Sequence, residues 1–187
     1  MKEENIGVLM AGERFSFKDF EWIVFNNNVE GGVLAIMASA WHDKKYCFDE
    51  DGCNNYAKSS LRRKLLNELL PVLGEDNLIP HDINLATDNE VDSYGKIDGD
   101  KVFILSYNDH RKYCKYIPLF HEWMWTCTPL YISNNDDDYH VCIVDDKFLS
   151  DDTAYKNYGV APACVFNPKN LKLHRQVQMV EVKGEDY

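Results

Sequence analysis

Residues 20–37 read FEWIVFNNNVEGGVLAIM, that is, Phe20-Glu21-Trp22-Ile23-Val24-Phe25, then Asn26-Asn27-Asn28, then Gly31-Gly32 followed by Val33-Leu34-Ala35-Ile36-Met37. Two runs of aromatic and β-branched residues flank a stretch of Asn and Gly. The first types suit a pleated, half-buried surface, and the second tolerate the positive φ of a tight return. The stretch therefore predicts an antiparallel hairpin whose first strand stops at Asn26-Asn27-Asn28. Phe15 and Phe17 carry the same apolar signal toward the N-terminus.

Beyond the hairpin the period changes. Leu61, Leu65, Leu66, Leu69 and Leu70 fall on one helical stripe, with Ser59 or Ser60 to cap its start and Pro71 to stop it. The opposite face carries Arg62, Arg63, Lys64 and Glu68, a solvated helix face with enough positive charge to hold an anion. Leu73 to Thr87 predicts a short helix plus a connection broken at Pro80. Lys101-Val102-Phe103-Ile104-Leu105-Ser106 predicts a strand entered through an Asp98-Gly99-Asp100 turn, and Asn108 to Tyr116 a short helix capped by Asn108. The last third alternates apolar runs, Trp123 to Thr128, Tyr139 to Val144 and Val160 to Phe166, with Asp-rich stretches read as loops. Arg175 to Val182 predicts a terminal strand, and Lys183 to Tyr187 a polar tail. The sum is one α+β domain over residues 1–187, with antiparallel hairpins, one or two helices and long irregular acidic loops.

The chain has 187 residues, of which 45% are hydrophobic and 13% aromatic, so it has the material for a sizeable core and lies outside the composition of disordered chains. Against 31 Asp and Glu stand 20 Lys and Arg, a formal net charge of -11. That field repels a phosphate backbone and an anionic membrane and attracts a basic protein surface. The charged start Met1 to Asn5 and the short apolar run Ile6 to Ala11 match neither a signal peptide nor a membrane span, so a cytosolic location is expected. Six cysteines, at 47, 53, 114, 127, 142 and 164, show no CxxC pair and no dense disulfide spacing. They read as reduced, mostly buried hydrophobes, with Cys47 and Cys53 flanking an acidic turn.

Four pieces taken in order, Phe20 to Phe25, Ser60 to Asn67, Asp100 to Ser106, and Trp123 to Pro129 with Gly159-Val160-Ala161-Pro162-Ala163, resemble an uncharacterised domain family of bacteria and their phages. That family is similar to the C-type-lectin-like fold shared by formylglycine-generating enzymes and phage variable proteins, and the resemblance covers about residues 15–168. It implies a C-type-lectin-like α+β fold with a further C-terminal segment, 169–187. Where the family has a Trp-Leu-Arg-Ser/Thr-Pro element, this chain has Trp123-Met124-Trp125-Thr126-Cys127-Thr128-Pro129. Ala161 stands where the family has Arg in Gly-Val-Arg-Pro-Ala.

No catalytic or metal-binding constellation is complete. His121-Glu122 opens an HExxH pattern, but Trp125 occupies the second histidine position. The aspartates after residue 133 supply the hard oxygen that calcium needs, without a D-x-D-x-D-G loop. His140 and Cys142 are two apart on an expected strand, a residual cysteine-dependent possibility with no orienting third group. The expectation is a non-catalytic, cofactor-free interaction module that binds a protein with a basic surface, in its sharpest form an anti-CRISPR-type inhibitor encoded by a phage or mobile element. The second reading is a lectin-like domain for a small ligand or glycan. Both place the binding residues in the same region: Asp136, Asp137, Asp138, Asp145, Asp146, Asp151 and Asp152, with the rings of Trp123, Trp125, Tyr131 and Tyr139.

Overall fold

The computed structural model describes residues 5–132, 139–145 and 148–173. In it the chain is α+β, built mostly of antiparallel strands with one 14-residue helix. The strands are β1 (Arg14–Phe17), β2 (Phe20–Val29), β3 (Gly32–Met37), β4 (Tyr46–Cys47), β5 (Leu78–Ile79), β6 (His81–Ala86), β7 (Ser93–Asp100), β8 (Phe103–Ile104), β9 (Met124–Pro129), β10 (His140–Val144), β11 (Leu149–Thr153), β12 (Asn157–Tyr158) and β13 (Pro162–Phe166).

The largest sheet has the order β1-β2-β3-β13-β5, with β8 also pairing β13. The expected hairpin is its centre, but β2 runs through Asn26–Asn28 to Val29 instead of stopping there. Register irregularities on either side of Asn26 absorb the polar residues. The turn falls on Glu30 and Gly31, at φ 53° and 79°. Two successive positive-φ residues match the right-handed twist of the flanking strands, as they do at Lys18 and Asp19 between β1 and β2. Gly32 is required for a different reason. A Cβ there would lie 2.6 Å from Val165 Cγ1 and 2.7 Å from the Phe166 carbonyl oxygen.

Every residue of β3 and β13 is buried, so both strands lack the polar alternation of a half-exposed strand. Phe166 receives three rings edge-on, Trp22 at 4.7 Å, Phe15 at 5.2 Å and Phe17 at 5.8 Å between centroids. A second aromatic centre forms around Trp125, which meets Phe48 at 5.5 Å and Tyr158 at 5.0 Å. The three-stranded sheet β11-β10-β9 and the two-stranded pairs β12-β4 and β6-β7 pack around these centres.

The long helix begins at Ser60, where the Ser59 hydroxyl accepts from the Arg62 N–H. Pro71 does not stop it. The segment Leu65–Leu69 is π-helical, with the Leu70 N–H reaching back to the Leu65 carbonyl, and such a widened turn makes room for a following proline ring. The helix continues to Leu73 and ends at Gly74, φ 79°. Its basic face is not a free anion site. Arg62 Nε and Nη2 donate to both oxygens of Asp100 at 2.7 Å each, Arg63 donates to the Lys58 carbonyl, and Lys64 donates to Glu68.

Four further expectations are corrected. Leu73–Thr87 contains the strands β5 and β6, Ile83 and Leu85 of β6 facing the core. Asp98–Asp100 belong to β7, and of Lys101–Ser106 only Phe103–Ile104 forms a strand. The short helix Tyr107–Tyr113 starts before Asn108, because Ser106 and Asp109 form a reciprocal capping box. Asp151 and Asp152, read as loop, lie in β11. The expected strand from Arg175 to Val182 lies outside the described residues.

Two predictions follow from buried polar groups. Arg62→Met and Asp100→Asn each strand one member of a largely buried ion pair and are expected to cost about 3 kcal/mol in urea unfolding, with Arg62→Met/Asp100→Leu recovering most of it. His110, on the inner face of the short helix, is 8% exposed, and burial pushes its imidazole down to about 4 against a weaker upward pull from Asp109. A depressed folded pKa gives stability that is complete above the unfolded value near 6.5 and is lost as pH falls toward 4. Urea midpoints at pH 7 and 4.5 are expected to differ by less in His110→Leu than in the native chain.

Candidate functional site

The sequence-expected binding residues divide once the chain is folded. Asp136, Asp137, Asp138 and Asp146 lie outside the described residues. Trp125 is a correction: it is buried, and its indole N–H donates to the Tyr46 carbonyl at 2.8 Å, so it serves the core and offers no surface to a partner. Trp123 is half-buried against the core, its carbonyl accepting from the Gly159 N–H at 3.0 Å. Asp145 sits at the far end of β10, where it accepts from the Phe148 N–H at 2.6 Å.

The remaining four, Tyr131, Tyr139, Asp151 and Asp152, lie toward one end of the three-stranded sheet, where His140 pairs with Thr153, with Asp151 and Asp152 on opposite faces of β11. Asn54 organises this end. Its side-chain amide, 1% exposed, donates to the carbonyls of Tyr131 at 3.0 Å and His140 at 3.2 Å, and its oxygen accepts from the Tyr94 hydroxyl at 2.6 Å. One buried amide thereby joins the segment that follows β9, the first residue of β10 and the β7 hairpin. A buried amide with both of its ends satisfied fixes geometry that flexible loops alone do not.

Around that clamp the outer side chains pair off. His140 Nδ1 donates to Asp151 Oδ2 at 2.6 Å, and the Tyr131 ring stacks on the imidazole at 6.3 Å. Tyr139 and Tyr155 lie 5.8 Å apart. The Tyr158 hydroxyl donates to Asp152 Oδ2 at 2.6 Å, and the Thr153 N–H donates to Asp152 Oδ1. Burial alone would raise the Asp152 carboxyl, but these bonds to its charged form outweigh it and hold the group below the usual carboxylate range. Burial, with the same carboxylate added to it, pushes the Tyr158 hydroxyl up to about 12. Tyr131 and Tyr155 remain 42% and 50% exposed. The arrangement presents aromatic faces beside carboxylates with spare acceptor capacity, which suits guanidinium and ammonium groups.

The signal for His140, Tyr155 and Asn54 was weak in the sequence. His140 and Tyr155 stand next to or among the expected residues, whereas Asn54 lies 77 positions from the Tyr131 that it holds. The acidic turn between Cys47 and Cys53 is structural as well: Asp49 is buried and accepts from the N–H groups of Asp51, Cys53 and Ser60. Among the described residues no group of three His, Cys, Asp or Glu side chains is arranged to hold a metal ion. No helix among them is long and apolar enough to cross a membrane.

The His140 and Cys142 pair has an orienting carboxylate but a buried thiol. Asp151 accepts from His140 Nδ1 at 2.6 Å, the bond that orients an imidazole and that the sequence did not reveal, whereas burial, added to by Asp88 and Asp151, pushes the Cys142 thiol up to about 12 and suppresses its thiolate. Comparison of the chain with protein-family models, curated proteins and solved structures gave no match.

The six cysteines are free, and Cys114 is exposed while Cys127, Cys142 and Cys164 are buried. At pH 8 a disulfide reagent such as dithionitrobenzoate is expected to label Cys114 first. Cys127, Cys142 and Cys164 are expected to react only in denaturant; fast native labelling of Cys142 would contradict the burial that suppresses its thiolate.

Proposed function

We propose that this chain is a non-catalytic acidic interaction module whose described binding surface is the tyrosine-rich end of the β9-β10-β11 sheet, and whose partner is a protein with a basic surface. The observation that carries the reading is that half-exposed Tyr131 and Tyr155 lie with Tyr139, Asp151 and Asp152 toward one end of this sheet, where the buried amide of Asn54 ties the Tyr131 and His140 backbones together. Tyrosine is enriched at protein interfaces, since its ring supplies contact area at low entropic cost. A net charge of -11 adds long-range attraction for a cationic partner and speeds encounter with it.

In its sharpest form the partner is a nucleic-acid-binding protein of the host cell, and the module occupies the surface that otherwise holds phosphates, as an anti-CRISPR-type inhibitor does. The carboxylates at this end, with those carried by the 133–138 segment, would stand in for a row of phosphates. The fold we assign to it is C-type-lectin-like, of the bacterial and phage kind that the order of its four sequence pieces resembles. Stacking of a sugar or other small ligand on Tyr131 and Tyr155 is the second reading, supported by the exposure of those two rings.

A cationic peptide of alternating Arg and Lys is the simplest probe. Titrated into isotope-labelled protein, it is expected to shift the amides of Tyr131, Tyr139 to Val141, Asp151, Asp152 and Tyr155, with the shifts fading between about 0.05 and 0.5 M salt as screening shortens. Asp151→Asn/Asp152→Asn with Tyr131→Ala is expected to weaken binding at least tenfold, roughly 1.4 kcal/mol. Shifts spread evenly over all acidic surfaces, or indifferent to the variant, would sink the interaction reading; saturable shifts at Tyr131 and Tyr155 with neutral sugars instead would favour the second.

A further inference from the structure

At the opposite end of the β10-β11 ladder from the tyrosines, where Val144 pairs with Leu149, the fold leaves a cavity of about 340 Å³. Its walls come from the short helix, the segment that follows it, and the end of the hairpin: Ile117, Leu119, Phe120, Val144, Phe148 and Leu149 form the apolar lining. Leu119 and Phe148 are 65% and 63% exposed, so the apolar surface continues from the cavity to its mouth. A well-formed apolar concavity of this size is large enough for a small ligand, and isolated exposed residues would not produce it.

The polar groups in the wall are unequal. Arg111 is spent: its guanidinium donates to both oxygens of Asp88 and lies over the Tyr107 ring at 4.4 Å. The Asp145 carboxylate accepts from the Phe148 N–H. His110 differs from both. More than nine-tenths buried, it lines the cavity; its ring nitrogens are not among the fully buried atoms left without a partner, so they stay open to the cavity. A ring nitrogen that opens into a mostly apolar cavity bonds water there, and a ligand that displaces this water keeps its affinity only by supplying the same bond. The ring is neutral near pH 7, so one nitrogen donates and the other accepts.

We infer that this cavity is a binding site for a small uncharged aromatic molecule carrying one hydroxyl or N–H group, of the phenol or indole class, with its ring among Phe120, Phe148 and Leu149 and its polar atom on His110. The two charged residues are already paired within the protein, so a charged ligand would meet no free counter-charge and would lose its hydration. A purely apolar ligand would fit the lining and leave His110 unsatisfied. The site is separate from the tyrosine-rich surface and does not depend on its assignment.

The test compares phenol, indole, toluene and benzoate on the full chain, following amide and His110 ring signals by nuclear magnetic resonance, with sedimentation to record the association state. Phenol and indole are expected to bind saturably, shifting His110, Ile117, Val144 and Leu149, with benzoate and toluene each about tenfold weaker. In His110→Phe the advantage of phenol over toluene is expected to vanish, and Leu149→Trp, a change at the half-exposed mouth, is expected to block both. Equal binding of phenol and toluene by the native chain overturns the role of His110. Saturation elsewhere, no saturation at millimolar ligand, or a dimer that buries this mouth and is unmoved by phenol overturns the site.

Discussion

Phe166 packing against Trp22, Phe15 and Phe17 is the contact on which the rest of the architecture depends. It lies at the end of β13, which pairs β3 along one edge and β5 and β8 along the other. A strand near residue 165 thus joins segments that lie between residues 32 and 104, and no local hairpin substitutes for it. Burying one such side chain contributes about 2–3 kcal/mol, and truncating it costs more because the cavity does not collapse fully. The close approach at Gly32 belongs to the same constraint: β13 lies so near the start of β3 that only a missing Cβ leaves room for Val165 and the Phe166 carbonyl.

The second centre, Trp125, transmits that order toward the surface. Its ring joins β9 to Phe48 and Tyr158, and its N–H ties β9 to the Tyr46 carbonyl. The three-stranded sheet is therefore fixed at its base, and Asn54 fixes its outer end by bridging the Tyr131 and His140 carbonyls. The exposed tyrosines sit on a rigid support even though β11 itself is half-exposed and rich in aspartate. A preorganised aromatic and acidic surface loses less entropy on binding than a loop that must first be ordered.

What the sequence could reveal followed the physics of each segment. The β2-β3 hairpin, the long helix and the apolar cores of β9, β10 and β13 carry strong patterns and were legible. Pro71 misled because tertiary burial of Leu65, Leu69 and Leu73 along one stripe outweighs a local break that a π turn can absorb. β7 was invisible because Ser93-Tyr94-Gly95-Lys96-Ile97-Asp98-Gly99-Asp100 has low strand propensity; pairing with β6 and the Lys96 contacts to Asp82 and Asp98 hold it. For the site, residue types near positions 131–152 pointed to the right neighbourhood. Composition cannot tell a buried Trp125 from a half-exposed Trp123, nor place Asn54 beneath residues 77 and 86 positions away.

Native-state hydrogen exchange tests the central claim, that β13 organises the core, most directly. Amides of Ala35, Ile36, Ala163 and Val165 are predicted to exchange only by global unfolding and to carry the highest protection in the chain, with β6-β7 and β10-β11 opening at lower free energy. Exchange of β13 together with the β6-β7 hairpin, at a free energy below that of global unfolding, would contradict the account.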